Sequence, residues 1–208
     1  MTLTLITGAA RSGTTLTTAV LAAHGARLGH VNQLNEHTGV REQILKPLLR
    51  AAGADPRGQF PLPRLDDLPT AADLRRDTLA ALGPADTYKD AKLCLTWPCW
   101  DRAFPDARWI IVRRDAKGIV GSCLRTPFMR AYDTAAGWRE WVKAHEMQFT
   151  AMRSAGLNVV EVWPDPANPE SFRPAVERAG LTFDAGAAAG CVDAEKWQVG
   201  SGGLDAGA

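Results

Sequence analysis

The chain has 208 residues, 46% of them apolar and 23% charged, with a formal net charge of +1. That length suits a single domain with a substantial core, and the near-neutral balance supplies no global basic field for nucleic acid or an anionic membrane. No apolar run approaches the ~20 residues of a membrane span and no basic, leader-like segment precedes the first apolar run, so the sequence reads as a cytoplasmic protein. Cys94, Cys99, Cys123 and Cys191 show no C-x-x-C spacing and read as thiols, and four histidines with no H-E-x-x-H pattern argue against a metal site.

Leu3 to Ile6 predicts a buried strand. Gly8 to Gly13 predicts a tight loop, and Leu16, Ala19, Val20 and Ala23 then follow helical spacing. Strand, glycine-bounded loop and helix together make an anion-binding arrangement, with loop N–H groups and the positive end of the helix dipole facing one point. The G-x-x-x-x-G spacing matches a P-loop, but Thr14 stands where that motif needs Lys, and the nearest cation is Arg11.

Asn32 to Thr38 is polar. A helix is expected from Val40, divided or kinked by Pro47, then an exposed loop over 53–69 and a helix over 70–82 with Thr70 as cap. Thr87 to Asp90 predicts the end of a second strand, Trp97-Pro98 a helix start, and Arg108 to Val112 a third strand with Arg114-Asp115 at its carboxyl end. A helix through Cys123, an amphipathic helix over 132–154, a strand over 158–162 and a helix over 171–179 complete the pattern. Alternation of this kind predicts an α/β fold, one domain over 1–199 with a central parallel sheet flanked by helices, and a tail over 200–208. Ligands of such sheets bind at the carboxyl ends of the strands, where Arg11, Lys89 and Arg114 all fall.

Two motifs resemble those of the sulfotransferases. Arg11-Ser12-Gly13-Thr14-Thr15 is similar to the family's 5′-phosphosulfate loop, and Arg114-Asp115 with Ser122 eight residues on is similar to its 3′-phosphate motif. Tyr88-Lys89-Asp90-Ala91-Lys92 resembles the K-D-P-R stretch of bacterial members, with Ala91 in place of Pro. The resemblance implies a P-loop-like sulfotransferase fold and transfer of a sulfuryl group from 3′-phosphoadenosine 5′-phosphosulfate to a hydroxyl or amine, without a metal. It implies donor binding by Arg11, Ser12, Gly13, Thr14, Thr15, Arg114 and Ser122. The residue types suit that chemistry: backbone N–H groups from Ser12 to Thr15 and Arg11 can take charge that grows on the leaving phosphate, and Arg114 offers a planar fork for a second phosphate.

Asn35-Glu36-His37-Thr38 resembles the G-E-E-T stretch of tyrosylprotein sulfotransferases, which implies Glu36 as the base that takes the acceptor's proton. His37, whose ordinary pKa suits neutral pH, is the rival. Arg113 reads as an ion-pair residue or a site residue, Asp115 as a helix cap or a ligand contact. Trp97 and Trp100 read as packing, with pocket lining the alternative, and His145 as a hydrogen-bonded core residue. Lys196-Trp197 resembles part of a C-terminal cofactor loop of cytosolic members, though R-K-G-x-x-G is absent. Two other functions stay open: a small-metabolite P-loop kinase using ATP and magnesium, and a non-catalytic nucleotide-binding module. The acceptor (sugar, lipid, small molecule or peptide hydroxyl) and the oligomeric state are not legible.

Overall fold

The structure, a computed structural model, describes residues 2–70 and 72–192. Four strands form one parallel sheet in the order β2-β1-β3-β4: β1 (Thr4–Thr7), β2 (Thr87–Lys89), β3 (Arg108–Val112) and β4 (Val159–Val162). β1 is central and pairs with β2 on one side and β3 on the other, with Thr4 opposite both Thr87 and Arg108.

Both faces of the sheet are covered, so both sides of each inner strand are apolar. Leu5, Trp109 and Ile111 enter one core with Leu45, Leu49, Trp100 and Phe149, while Ile6, Ile110 and Val112 enter the other with Val20, Leu21 and Phe172. Period-2 alternation sends neighbouring side chains to opposite layers. α1 (Thr14–Ala23), α8 (Arg173–Arg178) and α9 (Ala185–Gly190) cover the second face. A third cluster lies between α6 (Ala116–Arg125) and α7 (Ala135–Ser154), where Ile119 and Cys123 meet Trp138, Trp141 and Val142.

The expected α/β architecture is therefore present, and several expected ends shift. The stretch from Thr38 divides as Pro47 requires: α2 (Thr38–Val40), a π-helical turn Arg41–Leu45 closed by Lys46 N–H to the Arg41 carbonyl, then α3 (Lys46–Ala51) with Pro47 in its first turn. α4 (Leu74–Leu82) starts later than Thr70, because Asp73 and not Thr70 occupies its N-cap. α5 (Trp97–Ala103) starts at Trp97-Pro98 as expected. α9 was not expected, since Ala-Gly-Ala-Ala-Ala-Gly carries no apolar stripe. Lys196-Trp197, the end of the 1–199 domain and the tail lie outside the described residues.

The direction of winding reverses at β1: the chain passes from β1 to β2 on one side, then crosses to β3 on the other. Loops leaving β1 and β3 therefore diverge at their carboxyl ends and open a crevice between them.

Candidate active site

The loop after β1 is held in a shape that few sequences adopt. Gly13, the N-cap of α1, has φ 104° and Arg11 has φ 72°. Left-handed backbone costs a residue with a Cβ roughly 1–2 kcal/mol, so Arg11 is held there by its surroundings. Gly8 is needed for close approach, since a Cβ on it would lie 2.4 Å from the Val112 carbonyl oxygen and 2.6 Å from Ser12 Oγ.

Among the described residues no side chain caps α1. Its first N–H groups have no intrahelical partner. Ser12 N–H donates back to the Ala9 carbonyl (3.1 Å), which leaves Gly13, Thr14 and Thr15 as the backbone donors of the loop. Ser12 thus departs from its expected backbone role; its Oγ is enclosed, with no hydrogen-bond partner among the described residues.

The two sequence motifs meet at Arg11. Its Nε donates to Ser122 Oγ (2.8 Å), and an Arg114 terminal nitrogen donates to the Arg11 carbonyl (3.1 Å). β1 and β3 are neighbours, so segments 111 residues apart face each other across the crevice. Burial depresses the Arg114 pKa; Asp115 opposes this, and the like charges of Arg11 and Arg125 add to it. An anion between the guanidinium groups would relieve that repulsion. The uncapped helix start, the orphaned Ser12 Oγ and this cationic pair fit a ligand carrying phosphate-type groups.

Glu36 reaches the opposite side of the loop through a self-bonded turn. Asn32 Oδ1 accepts from the N–H groups of Leu34 (2.8 Å) and Glu36 (3.1 Å), an Asx arrangement. Asn35 takes φ 58° and its amide donates to the Thr15 carbonyl (3.2 Å), which docks the turn on the start of α1. The Glu36 carboxylate, 4% exposed as a residue, lies 2.9 Å from Arg41 Nε and 3.5 Å from Lys89 Nζ. Burial alone would raise its pKa; Lys89, Lys92 and Arg41 outweigh that and hold it below the ordinary carboxylate value.

Lys89 leaves the end of β2 and donates to the Leu34 carbonyl (2.9 Å) and to Thr15 Oγ1 (3.4 Å). A neighbouring strand thus brings an ammonium to the loop that lacks its own lysine. Asp90 pairs with Lys92 (2.6 Å) and lies 3.8 Å from Arg41. Arg41, Asp90 and Lys92 were not expected as site residues; only the K-D-x-K spacing hinted at the last two.

Glu36, Arg41, Lys89 and Lys92 line a cavity of about 270 Å³ together with Arg11, Thr14 and Thr15 and with Phe128, Met129, Trp141 and His145; Asp90 lies behind it, fully buried. Arg57, Gly58 and Gln59, from the 53–69 segment, supply part of the rim. Gln59 fastens that rim, donating to the Phe128 carbonyl and accepting from Arg130 and Ala131 N–H.

Other expected residues lie elsewhere. His37 does not line the cavity. Its Nδ1 accepts from Val40 N–H (3.4 Å) as the cap of α2, and burial and His30 depress its pKa. Arg113 forms ion pairs with Glu146 and Glu161 (2.6 Å to the latter), and Asp115 caps α6 through Gly118 N–H. Trp100 is packed against Tyr88 and Phe104. His145 is buried and bonded as expected, yet it is also cavity wall. Among the described residues, no group of three or more His, Cys, Asp or Glu side chains is placed to hold a metal ion, and no helix is long and apolar enough to cross a membrane.

A family model described as a sulfotransferase domain matches residues 4–179. The chain belongs to the sulfotransferase family. This sulfotransferase is similar in structure to the sulfotransferase STF1 from Mycobacterium tuberculosis H37Rv, with a TM-score of 0.52 and 16% sequence identity over 91% of this chain and 70% of that one. At that identity the likeness shows a shared fold. A search of curated proteins finds no match.

Proposed function

We propose that this sulfotransferase moves a sulfuryl group from 3′-phosphoadenosine 5′-phosphosulfate to a small acceptor hydroxyl (or amine), with Glu36 as base. The observation that carries the reading is the convergence at Arg11: one loop contacts the Arg114–Ser122 motif on one side and the Glu36–Lys89 cluster on the other. A donor with one phosphate by Arg114 and a phosphosulfate in the loop would span the carboxyl ends of β1 and β3, its sulfur toward the cavity.

In the reaction the bond from sulfur to the bridging oxygen breaks as the acceptor oxygen bonds to sulfur. Charge then grows on the leaving 5′-phosphate. Arg11, Lys89 and the N–H groups of Gly13, Thr14 and Thr15 are the donors set to meet it. Glu36 takes the acceptor's proton, and 3′,5′-ADP is the other product. A carboxylate held below its ordinary pKa is a weak base that is ionised at every working pH. That suits a loose transition state, in which the acceptor becomes acidic only late.

The test is a thermal-shift and transfer pair. 3′,5′-ADP should raise the melting temperature more than 5′-AMP or ATP with magnesium does, and labelled donor should pass its sulfuryl group to a pool of hydroxyl acceptors. Magnesium-dependent ATP turnover would instead mark a kinase. Nucleotide binding with no transfer to any acceptor would mark a binding module.

A further inference from the structure

His145 projects from the middle of α7 into the acceptor side of the cavity. Its Nδ1 lies 2.9 Å from the Trp141 carbonyl oxygen. A carbonyl only accepts, so Nδ1 carries the proton. Burial pushes the ring's pKa down to about 4, against the pull of that carbonyl, so the ring is neutral near pH 7. Nε2 is therefore a bare lone pair. It has no protein partner among the described residues and is not one of their fully enclosed polar atoms, so it opens onto the cavity its ring lines.

Side-chain acceptors are few on the rest of the wall, and the Thr14 and Thr15 hydroxyls belong to the phosphate loop. Arg11, Arg41, Lys89 and Lys92 offer only N–H donors. Gln59 uses its amide nitrogen on Phe128 and its oxygen on two backbone N–H groups. Glu36, held by Arg41, Lys89 and Asn32, keeps its remaining lone pair for the proton of the reacting hydroxyl. The lining also includes apolar Trp141, Met129 and Phe128, and the Trp141 ring centroid is 4.0 Å from that of His145.

We propose that His145 selects acceptors carrying a second hydroxyl on an apolar body, with Nε2 accepting a hydrogen bond from that hydroxyl while the first faces the phosphate loop. The proposal rests on the transfer reading above. An ammonium in place of the second hydroxyl is disfavoured by the cations in the same cavity. A monohydroxyl analogue would leave Nε2 desolvated and unpaired, a cost that separates the two substrates. The acceptor class is thus a small neutral diol, aromatic or alicyclic.

The probes are resorcinol against 3-methoxyphenol, and cyclohexane-1,3-diol against 3-methoxycyclohexanol, each pair differing in the second donor. Binding is read first, on protein labelled with 15N-histidine and saturated with 3′,5′-ADP. Either diol should move the His145 Nε2 resonance upfield and its ether should not. Transfer is read second. The wild type should favour at least one diol in kcat/KM by about tenfold, the net worth of one hydrogen bond, and His145→Phe should bring that ratio close to one. If Nε2 responds to neither member of both pairs or equally to diol and ether, or if His145→Phe keeps the preference, the proposal is overturned. If Nε2 responds only to diols but no acceptor is sulfated, diol recognition stands and the transfer reading fails. Should His145→Phe not fold, judged by loss of its 3′,5′-ADP melting shift, His145→Leu and the wild-type resonance decide.

Discussion

Replacing Glu36 by Gln tests the base and the ion cluster together. Gln keeps the shape but removes the charge that lies nearest to both Lys89 and Arg41, leaving Lys89 and Lys92 to face Asp90, and Arg41 to face Asp90 and Glu42. Lys89 is 3% exposed, so its half of the pair is buried, whereas the Arg41 side chain at 24% is partly screened. Breaking a buried pair from one side costs about 3–5 kcal/mol; the half-screened Arg41 places the expected loss at the lower end, about 3 kcal/mol. The pH dependence has a definite sign. Glu36 has a folded pKa below its unfolded value, so its contribution is complete above an unfolded pKa of about 4.3 and is lost as pH falls through the folded pKa. The stability gap between wild type and Glu36→Gln, from urea unfolding, should be constant between pH 5 and 8 and close in more acidic solution. Turnover should fall by roughly 10²–10⁴, the usual worth of a general base, with 3′,5′-ADP affinity nearly intact by calorimetry. A gap that widens on acidification would refute the depressed pKa, and a Glu36→Gln enzyme with wild-type turnover would remove the base.

Arg114→Ala should weaken 3′,5′-ADP by about 1.5–3 kcal/mol, the range for a charged hydrogen bond, and 5′-AMP little; equal losses in calorimetry would contradict a 3′-phosphate role. Arg11→Ala and Arg11→Gly should both lower turnover by roughly 10²–10³, yet the Gly variant should unfold at higher urea, by about 1 kcal/mol, because only Gly is at ease at φ 72°. His37→Asn should change turnover by less than about threefold and keep stability within about 1 kcal/mol, since Asn also serves as an N-cap; a dead His37→Asn enzyme would return the base to His37.

The sequence made legible whatever depended on neighbours in the chain. β1, its loop and α1 follow from an apolar run, a glycine interval and a change of period, and β3 with Arg114 follows in the same way. The acceptor side was only half legible. Arg41 sits on a π turn in a helix with no visible motif, and only folding carries it to Glu36. His145 occupies the stripe of α7 with Trp138, Trp141 and Phe149, so its spacing speaks for burial, and only the tertiary structure shows the cavity against its ring. His37 has the right chemistry for a base, but its local backbone uses it as a cap, a competing role that short polar segments often impose.

β2 holds three residues at the edge of the sheet and, among the described strands, pairs with β1 alone. Arg11, Arg114 and Ser122 are instead anchored on the inner strands β1 and β3 and on α6. The two halves of the site consequently belong to regions of unequal local stability. Opening is cheapest where a short edge segment has few partners, and fraying at β2 would carry off Lys89 and release Glu36 while the anion cradle of the inner strands stayed intact. Warming or mild denaturant should therefore first yield an enzyme that still holds nucleotide but no longer turns over. Amide exchange at Tyr88 and Lys89 should quicken before exchange at Ile110 and Ile111.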